Sequence, residues 1–253
     1  ADYGMPQRRR RVFFLAYHET SGIYKKLIHR TDSWIGQDGI LAKSFPVEDI
    51  EEKFKEKLLE GSLEELTKKF GKDLKKSPFE NSGIMWDRKF ISCKVNPCYD
   101  GDEMLLKHVL LKKNEEPEDF DTFLVDKKIA EDKRRGWAFH KGAKQKKRTD
   151  KVTGFEYTFS EGSMSLTDSL RKPSRTIITG EGGASPSRTK HLIKVNGQYR
   201  RLTPVELERL NMFPDNFTKE GAQLGPISSS KRAFLMGNAL VVGVVDRIGL
   251  ELA

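Results

Sequence analysis

The sequence predicts an α/β chain, and three observations carry that expectation. Val12-Phe13-Phe14-Leu15-Ala16-Tyr17 is an unbroken apolar run of strand length, the pattern of a strand buried on both faces. Apolar residues at helical spacing, with helix-start signatures, recur between Val47 and Lys76 and again from Thr203 onward. Between these regions, from Gly83 to about Thr179, the signals are short, mixed strands and loops.

Taken in order, the first element is preceded by Pro6-Gln7-Arg8-Arg9-Arg10-Arg11. Four consecutive guanidinium groups, always charged and each carrying five donors, repel one another unless anions or acceptors await them. A period of two brings Gln7, Arg9 and Arg11 to one face, a donor row suited to phosphates and base carbonyl edges. Arg8 and Arg10 fall on the other side. Ile50, Phe54, Leu58 and Leu59 then predict a helix within Val47 to Leu59, ended by Gly61. Ser62 and Glu65 form a capping box for a second helix, whose stripe of Leu63, Leu66, Phe70 and Leu74 runs to about Lys76. Trp86 to Ser92 and His108 to Leu111 read as strands, and Asn114 to Asp121 as an acidic loop. Ala138 to Gly154 reads as a basic loop holding Lys141, Lys144, Lys146, Lys147, Arg148 and Lys151. Thr203 as N-cap, Pro204 in the first turn and Glu206 reaching back start a helix to about Met212. A Gly/Ser/Pro-rich loop from Gly221 to Ser230 leads into one largely apolar helix from Lys231 to Leu252.

Composition narrows the class. Among 253 residues, 46 basic side chains against 37 acidic ones leave a net charge of +9, which favours a polyanionic partner without proving one. Two cysteines, Cys93 and Cys98, exclude a disulfide framework and suit a reducing compartment. With His108 they offer three zinc ligands and no fourth, so no metal is expected. No apolar run is long enough to span a bilayer and no signal-peptide core opens the chain, so no membrane partner is expected.

Three stretches in order resemble conserved blocks of the DNA cytosine carbon-5 methyltransferases. Pro6-Gln7-x-Arg9-x-Arg11-Val12 looks like the late Gln-Arg-x-Arg block, Arg200 to Asp215 resembles the ninth block, and Met236-Gly237-Asn238-Ala239-Leu240-Val241 resembles the tenth. The family's Phe-x-Gly-x-Gly cofactor loop, Pro-Cys-Gln nucleophile loop and Glu-Asn-Val segment do not occur in the sequence. Asn96-Pro97-Cys98-Tyr99 has Tyr where the nucleophile loop has Gln and follows the arginine block, so Cys98 is read as non-catalytic. The resemblance therefore implies the C-terminal part of such an enzyme, as in split or two-subunit forms. Its fold would be part of a Rossmann-like methyltransferase domain completed by another chain, with a mixed α+β target recognition domain. The expected boundaries are 1–18 for a catalytic-domain strand with the arginine block, 19–199 for the recognition domain, 200–230 for the ninth-block helix and junction, and 231–253 for the returning C-terminal helix.

The resemblance also implies roles. Arg11 would hold the O2 edge of a cytosine flipped out of the duplex, while Gln7 and Arg9 would support the nucleophile loop and the flipped nucleotide's backbone. Gly237 and Asn238 would line the S-adenosylmethionine pocket, most of which lies in the absent N-terminal part. Arg175, Arg188 and Lys190 stand in Gly/Ser/Arg-rich segments suited to phosphates, and Lys144, Lys147 and Arg148 in the basic loop. Arg200 joins them, although helix-surface ion pairing accounts for Arg200 and Arg209 equally well. The expected partners are double-stranded DNA and an N-terminal subunit bringing the cofactor loop and the nucleophilic cysteine. The expected location is the bacterial cytosol or nucleoid, and the chain would transfer no methyl group alone. Two alternatives stay open: a non-catalytic DNA-binding regulator, and a fragment of a tRNA cytosine methyltransferase.

Overall fold

The computed structural model describes residues 1–69, 80–221 and 225–253, with 51–57 and 69 described as backbone alone. Its strands are β1 (Gln7–Arg8), β2 (Val47–Leu58), β3 (Ser82–Trp86), β4 (Lys89–Pro97), β5 (Leu124–Val125), β6 (Lys144–Thr149), β7 (Glu156–Glu161), β8 (Ser174–Arg175), β9 (Ile193–Val195), β10 (Gln198–Arg200), β11 (Glu220–Gly221) and β12 (Gly225–Pro226). Short helices stand between them, so the fold is mixed α/β. The chain divides into two compact units. One gathers Ala1, Met5–Arg10 and Glu103–Gly243; the other gathers Asp2–Gly4, Arg11–Asp102 and Val244–Ala253. This division cuts across the boundaries expected at 18, 199 and 230.

In the unit containing Arg11–Asp102, the strands pair antiparallel in the order β2–β4–β3. Asp87 and Arg88, both with positive φ, form the two-residue turn between β3 and β4. The strand expected over Trp86–Ser92 is thus the end of one strand, a turn and the start of the next. The helix expected over Val47–Leu59 is the long strand β2. Its pairing with β4 shifts register at three places, and Asp49 lies at φ 49°. Bulges break the alternation of two and so produce the four-residue apolar spacing that mimics a helix. The capping box is as expected: the Glu65 carboxylate accepts from Ser62 N at 2.8 Å, and a helix runs Leu63–Lys69. The rest of that stripe, including Phe70 and Leu74, lies outside the described residues.

The apolar run 12–17 is not a strand. Val12 and Phe14 are 76% and 90% exposed, and Tyr17 sets its ring edge-on to Trp34 at 6.2 Å. A strand needs a neighbour to take up its N–H and C=O groups, and none of the described strands pairs with this one. Within the same unit, Tyr3 donates to Pro46 O at 2.8 Å, and the Arg247 guanidinium lies over the rings of Tyr99 and Phe45.

In the other unit, β1 pairs parallel with β8, and β10 lies between β5 and β9. Asn196 and Gly197, at φ 48° and 85°, make the β9–β10 turn. Leu106, Val109, Ile177, Ile193, Leu202, Leu207, Leu210, Ala233 and Met236 form its core. The segment expected as a strand at His108–Leu111 begins instead as a turn of helix, Leu106–Val109, with both ends buried. The helix Pro204–Leu210 starts as its cap predicts: Thr203 Oγ1 accepts from Glu206 N, and the Glu206 carboxylate accepts from Thr203 N at 2.9 Å. The expected single C-terminal helix is two, Ser229–Asn238 and Val242–Leu252. Asn211 O captures the N–H of Val242 at 2.8 Å while Ala239 is extended, which ends the first helix. The loop expected from Gly221 to Ser230 carries the small β11–β12 pair.

Gly237 sets how closely the helix Ser229–Asn238 approaches the chain at 178–179. A Cβ on it would lie 2.5 Å from both Thr179 Cα and Thr179 N, backbone atoms that cannot swing away. Gly237→Ala is therefore expected to destabilise this unit by roughly 1–3 kcal/mol through overpacking, read as a lower urea midpoint with an unchanged slope.

Candidate nucleic-acid interface

The arginine block does not form a single donor row. The strand β1 ends at Arg8, where Arg9 N turns back to Gln7 O at 3.1 Å and breaks the period of two. Gln7 is 1% exposed; its amide donates to Leu210 O at 3.0 Å and to the Asn211 side chain. Arg9 donates to Ile177 O at 3.0 Å and to Gly237 O at 2.8 Å. Within this chain, both residues tie the N-terminal block to the ninth- and tenth-block segments. Arg11 is exposed and belongs to the other unit.

Four of the side chains expected to contact DNA make internal hydrogen bonds. Arg175 grips Asp168 with two nitrogens, one at 3.0 Å, and donates to Lys190 O at 2.8 Å. Arg188 donates to Gly142 O at 3.0 Å and to Gly162 O, and faces Glu161 at 3.6 Å. Lys190 donates to Gly183 O and Ser185 O, and burial pushes its ammonium pKa down. Arg200 is buried and bidentate on Glu206 at 2.6 and 2.8 Å. A guanidinium whose donors already meet carboxylates and carbonyls has little left for a phosphate. The Gly/Ser/Arg pattern that suggested phosphate contact instead cross-links irregular chain.

The basic loop expected at Ala138–Gly154 is a helical turn followed by a hairpin, and the hairpin organises its charges. The strands β6 and β7 pair Lys144 with Glu161, Lys146 with Phe159 and Arg148 with Tyr157. Directly paired residues share a face. Lys144, Lys146 and Arg148 therefore stand together with Tyr157, Phe159 and Glu161, while Lys147 lies on the opposite face beside Thr158. The Arg148 guanidinium sits 3.9 Å over the Phe159 ring, and Lys144 Nζ lies 4.9 Å from the Phe139 ring centre. The contacts of Arg188 to Gly142 and Gly162 clamp the hairpin where its two strands leave the unit. Alternating cations beside aromatic rings offer phosphates a charge and bases a stacking surface. Sequence reasoning missed Tyr157, Phe159 and the grouping of Lys146 with Lys144 and Arg148. The signal was present: Lys-x-Lys-x-Arg has the period of a strand.

Gly237 and Asn238 read here as packing and a helix end. Gly237 meets Thr179, its carbonyl accepts from Arg9, and exposed Asn238 donates to Phe234 O at 3.1 Å. Cys93 is buried and Cys98 exposed, and no His/Cys/Asp/Glu cluster suited to a metal occurs among the described residues. No single helix among them is long and apolar enough to cross a membrane. Ser174, His191 and Glu181 form a hydrogen-bonded series, with contacts of 2.7 and 2.8 Å, composed like a hydrolytic triad. All three are buried, so the series joins β8 to the loops at 181 and 191 and meets no substrate.

Residues 1–253 match the family model described as C-5 cytosine-specific DNA methylase. The chain belongs to this family. It is 38% identical over 256 residues to the type II methyltransferase M.Sau3AI of Staphylococcus aureus, an alignment covering all of this chain and 56% of that protein. The chain thus spans about half the length of that curated relative. The crystal structure of S. pombe Dnmt2 methyltransferase matches 92% of this chain and 64% of that one, at 12% identity and a TM-score of 0.38, a likeness too slight to build on. Family members are enzymes that methylate cytosine at carbon 5, and S-adenosylmethionine is their methyl donor.

Beneath the hairpin, Lys141 is buried with Nζ 3.6 Å from Asp168, an ion contact too long for a hydrogen bond. Burial pushes this amine down from 10.5 to about 8, against the raising effect of Asp168. Burial works to raise the Asp168 carboxyl, but the Arg175 hydrogen bond and the nearby cations hold it below the usual range. Between pH 8 and 10.5 the unfolded chain keeps the Lys141 proton that the folded chain has lost, so this group's contribution makes stability rise with pH there. Lys141→Met, which leaves Asp168 paired to Arg175, should remove that rise. Urea titrations of both proteins across this interval read the difference curve; a flat difference would contradict the assignment.

Proposed function

We propose that this chain is the DNA-recognising portion of a cytosine-5 DNA methyltransferase of the restriction–modification kind, and that the cation-aromatic face of the β6–β7 hairpin contacts the duplex. The observation that carries the reading is the family match over 1–253 together with Lys144, Lys146 and Arg148 on one exposed face beside Tyr157 and Phe159. Chemistry at carbon 5 needs a thiolate to add at carbon 6, an acid at ring nitrogen 3 and a bound sulfonium donor. In this reading all three come from residues outside this sequence, on a companion segment or subunit. The target base leaves the stack to be reached, and exposed Arg11 supplies the fork for its O2 edge.

Binding is tested by fluorescence anisotropy on a labelled duplex across a range of salt. Lys144→Ala/Lys146→Ala/Arg148→Ala should weaken binding and lessen the log–log salt slope by about 1 per cation removed. An unchanged slope would rule out this face, and preference for tRNA over duplex DNA in competition would favour a tRNA enzyme.

Methyl transfer is tested with S-adenosylmethionine labelled in its methyl group. The chain alone should transfer none, and transfer should appear when a segment bearing the cofactor loop and nucleophile is added. In that mixture Arg11→Ala should be inactive and Cys98→Ser fully active. Loss of transfer with Cys98→Ser, in protein that still binds DNA, would make Cys98 the nucleophile.

A further inference from the structure

The turn joining β6 to β7, residues 150–155, carries two large apolar side chains outward. Val152 is 93% exposed and Phe155 68% exposed. A solvated loop with this much bare apolar surface at its tip gains nothing from water. Nor is the loop slack. The Asp150 carboxylate accepts from Val152 N at 3.0 Å, from Thr153 N at 2.7 Å and from Thr153 Oγ1 at 2.9 Å. Asp150 N donates to Phe155 O at 2.8 Å, and Gly154 N donates to Asp150 O at 3.0 Å, with Gly154 at φ 70°. The turn is fixed before anything binds, so little ordering entropy is lost on contact. Lys147 and Arg148 precede the turn and Lys151 lies within it, against Asp150 and Glu156, so the surroundings of the apolar tip keep a positive balance.

We propose that Val152 and Phe155 are a wedge that enters duplex DNA between base pairs at the edge of the bound site, unstacking one step. The inference rests on the reading of the β6–β7 hairpin as the DNA-contacting element. The positive balance at the tip, continued along β6 by Lys144, Lys146, Lys147 and Arg148, makes a polyanion the occupant that complements it, and an apolar side chain entering a base step kinks and unwinds the helix. The kink offsets its unstacking cost by drawing the phosphates towards Lys144, Lys146 and Arg148.

The test uses the full chain and relaxed closed-circular plasmid, with topoisomerase I added after binding. Unstacking should appear as a shift in linking number that grows with bound protein. Val152→Gly/Phe155→Ser, both at exposed positions, should lose the shift while keeping salt-dependent binding, and Val152→Leu should keep the shift. A double variant that shifts linking number as the parent does at equal occupancy would overturn the wedge. So would a parent that binds with no shift, or one whose tip instead governs binding to anionic phosphatidylserine vesicles. Failure of the parent to bind plasmid at all would sink the DNA-recognition reading itself.

Discussion

The unit that holds most of the chain depends on two carboxylates kept in a helix with no access to water. Glu206 and Glu208 are both fully buried on Pro204–Leu210. A buried carboxylate is tolerated only when cations and donors replace its lost hydration. Glu206 receives Arg200 from β10, the N–H of Leu111 at 3.0 Å and that of its own cap. Glu208 receives Arg232 at 2.8 Å, from the helix Ser229–Asn238, and the N–H groups of Asn216 and Thr218. Segments a hundred residues apart are thereby held to one helix. The same demand places Gln7 on Leu210 and Asn211, so the arginine block is seated by the end of that helix.

This scaffold changes the meaning of the arginines. In a family whose substrate is a polyanion, every arginine invites a phosphate role. Arg175, Arg188 and Lys190 show the other use: irregular chain leaves carbonyls without partners, and one cation takes up two or more of them, while Arg200 is held mainly by Glu206. The cations of β6 are placed otherwise, in a row on a strand that pairs, among the described strands, with β7 alone. A base clamped by Arg188 and a turn closed by Asp150 suit an element that must meet another surface.

Several local features were legible because their causes are local. The capping boxes at Ser62 and Thr203 need only residues three apart, and both formed. The family blocks were legible because their residue types and order are specific, and the match across the whole chain agrees. The turn at Asn196-Gly197 follows the same logic, since that dipeptide readily takes two positive φ angles, although it went unread.

What the sequence determined by itself was therefore the family, the positive charge that favours a polyanion, and the starts of its capped helices. Tertiary structure alone decided that 47–58 is a strand, that the apolar run at 12–17 has no ladder, and that the C-terminal apolar stretch breaks after Asn238. In each case a long-range backbone partner, or the want of one among the described strands, outweighed an apolar spacing compatible with more than one structure. Which cations are struts and which face outward was decided the same way, because a guanidinium's partners are set by the carbonyls that folding brings within reach, and nothing along the chain specifies them.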